Sequence, residues 1–191
     1  MIDFYSAYRK LNDLKSEVSC HYLISREGKI YNLLCPKFKG WHAGISEWKN
    51  VKNLNDYSIG IELENRGHEH GYTNFTNSQY HNLKKLIKFL KFNFYIKDED
   101  IILHSDIAPN RKKDPGEKFI VKKLGIERFN FHQRKTLSIN RLLKLYGFSQ
   151  NYIKIHKPDC IKAVKRSLNY KTIDSSVSKN FKNKFNNLLF K

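Results

Sequence analysis

The apolar residues of the stretch 57–103 change their spacing twice, and that change limits the possible fold more than any other feature of this chain. From 57 to 64 they alternate, with Ile59, Ile61 and Leu63 on one side and Ser58, Gly60, Glu62 and Glu64 on the other, the period of a half-buried strand. Glu62 is thereby expected to project from the polar side. Thr76 and Gln79 then form a capping-box pair, and Tyr80, Leu83, Leu86, Ile87, Leu90 and Phe94 recur at helical spacing, which predicts a helix starting after Thr76. The continuous run Ile101, Ile102, Leu103 predicts a strand buried on both faces that delivers His104 at its C-terminal end. Upstream, Phe4, Ala7, Tyr8 and Leu11 predict an amphipathic opening helix. Two β-rich runs, 18–25 and 29–35, flank Arg26, Glu27 and Gly28, and predict a hairpin in which Gly28 supplies the positive φ of the turn.

Beyond residue 130 the pattern is helical throughout. Leu137, Leu142, Leu143 and Leu145 predict one helix ending at Gly147; Pro158 opens a second through Ile161, Val164 and Leu168; Val177, Phe181, Phe185 and Leu188 mark a third. A length of 191 residues suits one core of about 130 residues plus a small appendage. The expected organisation is therefore a main domain over 1–130 and a small helical domain over 131–191. Residues 131–191 carry eleven lysines and three arginines against Asp159 and Asp174, a net +12 of the total +18. Such an excess points to a polyanionic neighbour or to a lysine-rich solvated surface. The tail has no recognisable nucleic-acid motif and no stacking pattern of aromatic and basic residues, so no specific nucleic-acid partner is expected. No run of about 18 apolar residues occurs and residues 1–15 mix charges among their aromatics, so neither a transmembrane helix nor a signal peptide is expected. Cys20, Cys35 and Cys160 are odd in number and lack C-x-x-C spacing, against a disulfide framework and against a four-cysteine zinc site.

The densest chemistry lies in residues 104–116, H-S-D-I-A-P-N-R-K-K-D-P-G, which hold an imidazole, two carboxylates and three cations. Zinc takes histidine nitrogen and aspartate oxygen as ligands, and a catalytic zinc keeps one position open. His104 and Asp114 are accordingly candidate metal ligands.

This motif, H-S-D-I-A-P-x-R-K-x-D-P-G, resembles the C-terminal zinc motif of the AmpD-like, or type 2, N-acetylmuramoyl-L-alanine amidases. Further matches follow in order: V-S-C-H-Y-L-I at 18–24, G-W-H-A-G at 40–44, N-D-Y-S-I-G-I-E-L-E-N at 55–65 and F-T-x-x-Q at 75–79. The resemblance covers roughly residues 1–125. It implies an α/β fold, a mixed central β-sheet flanked by helices, here followed by a small C-terminal helical bundle that faintly resembles a peptidoglycan-binding module. It implies zinc as cofactor, peptidoglycan or a muropeptide as partner, and hydrolysis of the amide between N-acetylmuramic acid and L-alanine. His104 and Asp114 match two of the family's three zinc ligands, Glu62 the acidic residue of proton transfer, and Lys112 a lysine facing the oxyanion. Trp41, His42 and Ala43 fall where the family lines its muropeptide groove, and Arg111 is placed to meet a substrate carboxylate.

One departure concerns the third ligand, a family histidine in an H-Y-T-like motif that ends a strand ahead of the opening helix. Only Met1 and Ile2 precede that helix here, so the strand and its histidine are expected upstream of Met1. The other reading is natural loss, giving a non-catalytic muropeptide-binding protein. His21 is a conceivable substitute, although the family carries a histidine in this strand beside its usual ligands. A monomer is expected, and absent disulfide spacing with AmpD-like motifs favours the cytoplasm, with a periplasmic location left open by the incomplete N-terminus.

Overall fold

The structure is a computed structural model that describes residues 3–131 and 137–190. By internal contacts the chain divides into two compact units, one of Met1–Ile45 and Asn53–Tyr95, the other of Ser46–Lys52 and Ile96–Lys191.

The first unit is built on a three-stranded mixed sheet. Strand β1 (Tyr22–Ile24) lies between β2 (Ile30–Asn32), antiparallel to it, and β5 (Ile61–Leu63), parallel to it. As the central strand β1 is buried along its whole length, which accounts for its apolar run Tyr-Leu-Ile. The register sets Leu23 opposite Tyr31 and Glu62. The expected hairpin is present but short. Gly28, at φ +90°, turns it, and a Cβ there would stand 2.7 Å from the carbonyl oxygen of Ser78, so the turn needs glycine both for conformation and for space. Helix α1 (Phe4–Asn12) is capped by the Asp3 carboxylate accepting from Ser6 N–H at 2.8 Å and sets the Phe4 ring 4.7 Å from that of Tyr31. Helix α2 (Asn77–Phe94) packs on β1 through its buried stripe Tyr80, Leu83, Leu86, Ile87 and Leu90. Its capping box forms as expected, Thr76 Oγ1 accepting from Gln79 N–H and Gln79 Oε1 accepting from Thr76 N–H, each at 3.0 Å.

The second unit contains the β3 (Glu47–Trp48) and β4 (Val51–Lys52) hairpin, whose central residues Lys49 and Asn50 both take positive φ, as the tightest hairpin turns require. Its core is the C-terminal bundle of α4 (Ile139–Tyr146), α5 (Gln150–Ser167) and α6 (Lys179–Leu189). Leu142, Leu143, Tyr146, Phe181, Phe185 and Leu189 are completely buried there, each side chain contributing about 1.5–3 kcal/mol of apolar burial. The fold is thus the expected mixed α/β arrangement followed by a small helical extension.

Three local expectations are corrected. Residues 101–103 form no strand: the Leu103 N–H donates to Asp106 Oδ2 at 3.0 Å, so the amide that would join a ladder is used by a side chain. His104 instead opens a short helix, α3 (His104–Ile107). Pro158 does not open the second tail helix. The helix starts after Ser149, whose hydroxyl accepts from Tyr152 N–H, and Pro158 lies just past a break in helical geometry at His156, where the missing proline N–H is tolerated. In the third, Val177 lies ahead of the Ser178 cap, and Leu189 is the fully buried residue near its end. The expected boundary after residue 130 borders residues 132–136, which lie outside the described residues, as do Met1 and Ile2.

Candidate active site

Helix α3 is a single turn, too short to define its own orientation, and one of its side chains anchors it. Asp106 is completely buried; its Oδ2 accepts from Arg128 Nη2 at 2.5 Å and from Leu103 N–H, and its Oδ1 accepts from the Tyr146 hydroxyl at 2.7 Å. Burial pushes the Arg128 guanidinium down, but the Asp106 charge and Tyr146 raise it above its ordinary value, so the guanidinium keeps its proton. Burial and the same carboxylate push the Tyr146 phenol up, which keeps it a donor.

Residues two apart on a helix are about 200° apart around its axis, so fixing Asp106 inward turns His104 outward, and its side chain retains 20% exposure. His104 Nδ1 meets Asp114 Oδ2 at 2.8 Å, and the Ser105 N–H donates to the Asp114 carbonyl at 2.8 Å. The two candidate ligands are therefore brought together by side chain and by backbone. Partial withdrawal from water pushes the Asp114 carboxyl up, but the hydrogen bond and charge of His104, with Lys112 adding its charge, leave it below the usual carboxylate range. Lys112 is half-buried and Arg111 exposed; both backbone amides donate to Ala108 O, at 2.9 and 3.1 Å, folding the loop so that two cations follow α3 directly.

In the first unit the remaining candidates are held by other means. The amides of His42 and Ala43 both donate to Asn55 Oδ1, at 3.0 and 2.7 Å. Trp41 O accepts from Ser19 N–H at 3.1 Å while Trp41 N–H donates to Ser19 Oγ at 2.9 Å. Trp41 is 57% exposed, with the Lys39 ammonium 4.6 Å from its ring, whereas the expectation that Ala43 lines a groove is corrected, since its side chain is buried. His42 Nε2 lies 3.2 Å from Ser58 O. Gly60 makes room for that imidazole, since a Cβ at Gly60 would come within 2.3 Å of it. Glu62 is half-buried, like its two strand neighbours, and its charge, after burial, helps push the Cys20 thiol up to about 12.

His21 is not open to a metal. Its Nδ1 accepts from Gly60 N–H at 2.9 Å, which leaves the proton on Nε2 to donate to Phe38 O at 2.9 Å, and the ring is fully buried. A metal would have to displace one of these bonds.

Zinc chemistry suits the donor types of His104 and Asp114, but a catalytic zinc takes three protein ligands. Among the described residues no group of three His, Cys, Asp or Glu is placed to hold a metal. His104 and Asp114 thus offer two side chains of the donor types that such a site uses, 2.8 Å apart. Sequence reasoning missed Arg128, Tyr146 and the role of Asp106. The one available signal was a second carboxylate in the motif with no ligand role assigned to it.

Comparison with known proteins agrees with the motif. The family model for N-acetylmuramoyl-L-alanine amidase matches residues 3–117. N-acetylmuramoyl-L-alanine amidase AmiD of Escherichia coli K12 is 36% identical over 175 residues, covering 76% of this chain and 63% of AmiD. The 1,6-anhydro-N-acetylmuramyl-L-alanine amidase AmpD of Haemophilus influenzae is 38% identical over 103 residues, 53% of this chain and 54% of AmpD. The chain thus spans less than two thirds of the length of either relative. Among solved structures, E. coli AmiD in complex with the substrate anhydro-N-acetylmuramic acid-L-Ala-D-γ-Glu-L-Lys superposes with a TM-score of 0.80 at 29% identity, over 98% of this chain and 84% of that one. With the family's profile matched over more than half of its length, and the His104–Asp114 pair inside the match, this chain belongs to the N-acetylmuramoyl-L-alanine amidase family.

Proposed function

We propose that residues 1–191 recognise a muropeptide around the N-acetylmuramoyl–L-alanine amide, and that His104 and Asp114 are one half of a zinc site whose third donor lies elsewhere. The observation that carries this reading is the 2.8 Å His104–Asp114 pair, with no group of three such donors among the described residues. Binding without efficient cleavage is the expected behaviour of this stretch. Hydrolysis of the amide is the expected activity where a third donor completes the site.

The side chains divide the work by their chemistry. Trp41 offers an exposed ring for the apolar faces of a sugar and peptide, in a loop with half-buried His42 and buried Ala43. Arg111 offers an exposed guanidinium, the group best suited to a carboxylate of the stem peptide. A zinc ion, when bound, would supply a Lewis acid for the amide carbonyl. Lys112 would place a cation beside the developing oxyanion, and Glu62 would carry a proton to the leaving amine of L-alanine. These roles rest on motif correspondence and on residue chemistry. The binding of anhydro-muramoyl-L-Ala-D-γ-Glu-L-Lys by AmiD supports the substrate class.

Calorimetric titration of residues 1–191 with a muramoyl tripeptide, alongside chromatography of the products, tests this. The expected result is saturable binding, weakened by Trp41→Ala and by Arg111→Ala, with little release of free peptide. No binding at millimolar ligand would overturn it.

A further inference from the structure

The helical extension touches the metal motif at three separate points. Tyr146, at the end of α4, donates through its hydroxyl to Asp106 Oδ1. Tyr152, in the first turn of α5, donates to Asn110 Oδ1 at 2.8 Å. Asn169, just beyond α5 and at φ +56°, donates through Nδ2 to the carbonyls of Glu117 and Phe119, at 2.7 and 2.8 Å. The first two ties fall between His104 and Asp114, and the third falls just after Asp114. Helix α5 and strand β3 also pack directly on α3, and Trp48 of β3 sets its ring 5.6 Å from that of Tyr146.

We propose that the helical extension positions the His104–Asp114 pair, acting through Tyr146, Tyr152 and Asn169. This rests on the reading of that pair as a metal half-site. The physical argument is one of frame. A four-residue helix and the loop after it have little structure of their own to hold two ligand side chains at 2.8 Å. Asp106 decides which way α3 faces, and Tyr146 supplies one of its three donors. The loop from Ala108 to Phe119 carries Asp114, and the extension bonds to it at Asn110, Glu117 and Phe119. Tyr152 holds its first half and Asn169 its second. The extension therefore serves as the outer support of the ligands, as groups hydrogen-bonded behind metal ligands do. None of the three is a catalytic residue, since each acts through another.

Histidine-labelled and amide-labelled protein, observed by NMR during Zn²⁺ titration, separates this role from general stabilisation. The variants are Tyr146→Phe, Tyr152→Phe and Asn169→Ala. The control is Tyr170→Phe, which deletes a buried hydroxyl of the same extension that has no hydrogen-bond partner among the described residues. The His104 ring signal reports zinc affinity, and exchange of the Ser105 amide, bonded to Asp114 O, reports the frame without metal. Exchange of the Lys49 and Phe131 amides, which bond to Gly147 O and Leu189 O within the second unit, shows that each variant is folded. The expected result is zinc affinity at His104 lowered roughly tenfold in the three variants, with faster Ser105 exchange, and neither change in Tyr170→Phe. If wild-type His104 fails to respond to zinc while Ser105 exchange still rises in the three variants, the metal reading fails and the positioning role stands. If all three variants match Tyr170→Phe in both readouts, the positioning role is overturned whatever wild type does with zinc. Should Tyr146→Phe not fold, Tyr152→Phe and Asn169→Ala carry the same test from more exposed sites.

Discussion

Arg128→Ala removes one half of an ion pair from the interior and leaves the other half in place. The guanidinium and carboxylate meet at 2.5 Å with side chains 4% and 0% exposed. After the change Asp106 keeps only neutral donors, the Tyr146 hydroxyl and the Leu103 amide. Removing one partner of a buried pair costs about 3–5 kcal/mol, because the remaining charge is neither solvated nor neutralised. The guanidinium also lies 5.2 Å from the Phe129 ring centroid and 5.7 Å from that of Tyr146, contacts worth about 0.5–1 kcal/mol each. Against a total stability of about 5–15 kcal/mol, the variant should lose about a quarter or more. Urea denaturation followed by far-UV circular dichroism and by the fluorescence of buried Trp48 measures this. The double variant Arg128→Met with Asp106→Leu takes away both charges and should recover much of the loss, giving a coupling of at least about 2 kcal/mol in the cycle. A loss below about 1 kcal/mol for Arg128→Ala, or a cycle without coupling, would show that this pair does not hold α3.

Gly28→Ala should destabilise the first unit by at least about 1 kcal/mol in the same denaturation assay, since it places a Cβ at positive φ and against Ser78 O. Thr76→Ala should cost about 1 kcal/mol, and somewhat more here because the hydroxyl also donates to Arg26 O at 2.7 Å. The Lys165 ammonium, with Ser176, holds the Asp174 carboxyl well below the usual carboxylate range. A depressed folded-state value means that its contribution to stability is complete above the unfolded value of about 3.9 and is lost as pH falls through the folded one. Melting temperatures of wild type and Asp174→Asn should therefore differ most above pH 4 and converge on acidification; a gap that widens towards low pH would contradict the assignment.

What the sequence made legible was local. The Thr76–Gln79 capping box and the Gly28 turn are decided within a few residues, and both formed as expected. The run 101–103 shows the limit of that reasoning, because three apolar residues do not reveal whether their amides meet a strand or a side chain. Here Asp106 takes the Leu103 amide. The β3–β4 hairpin was missed because Lys49 and Asn50 carry no glycine to announce their positive φ. At the site, the nearness of His104 and Asp114 was legible because a short helix and the loop after it carry both within eleven residues. The support behind them was not, since Arg128, Tyr146, Tyr152 and Asn169 reach the motif across 22 to 52 positions, and no short motif records such a distance.

The central proposal is that His104 and Asp114 act as two zinc donors, with no third placed beside them among the described residues. Equilibrium zinc binding by residues 1–191, with and without an added N-terminal strand bearing the family's histidine, tests it most directly when amide cleavage is followed in the same samples. Weak or substoichiometric zinc with little cleavage, both rising when the strand is added and falling with His104→Ala, is the predicted result. Tight one-to-one zinc with full amidase activity in residues 1–191 would contradict it, and would require a third donor from a residue to which no such role is given, with His21 released from Gly60 and Phe38 the first to examine.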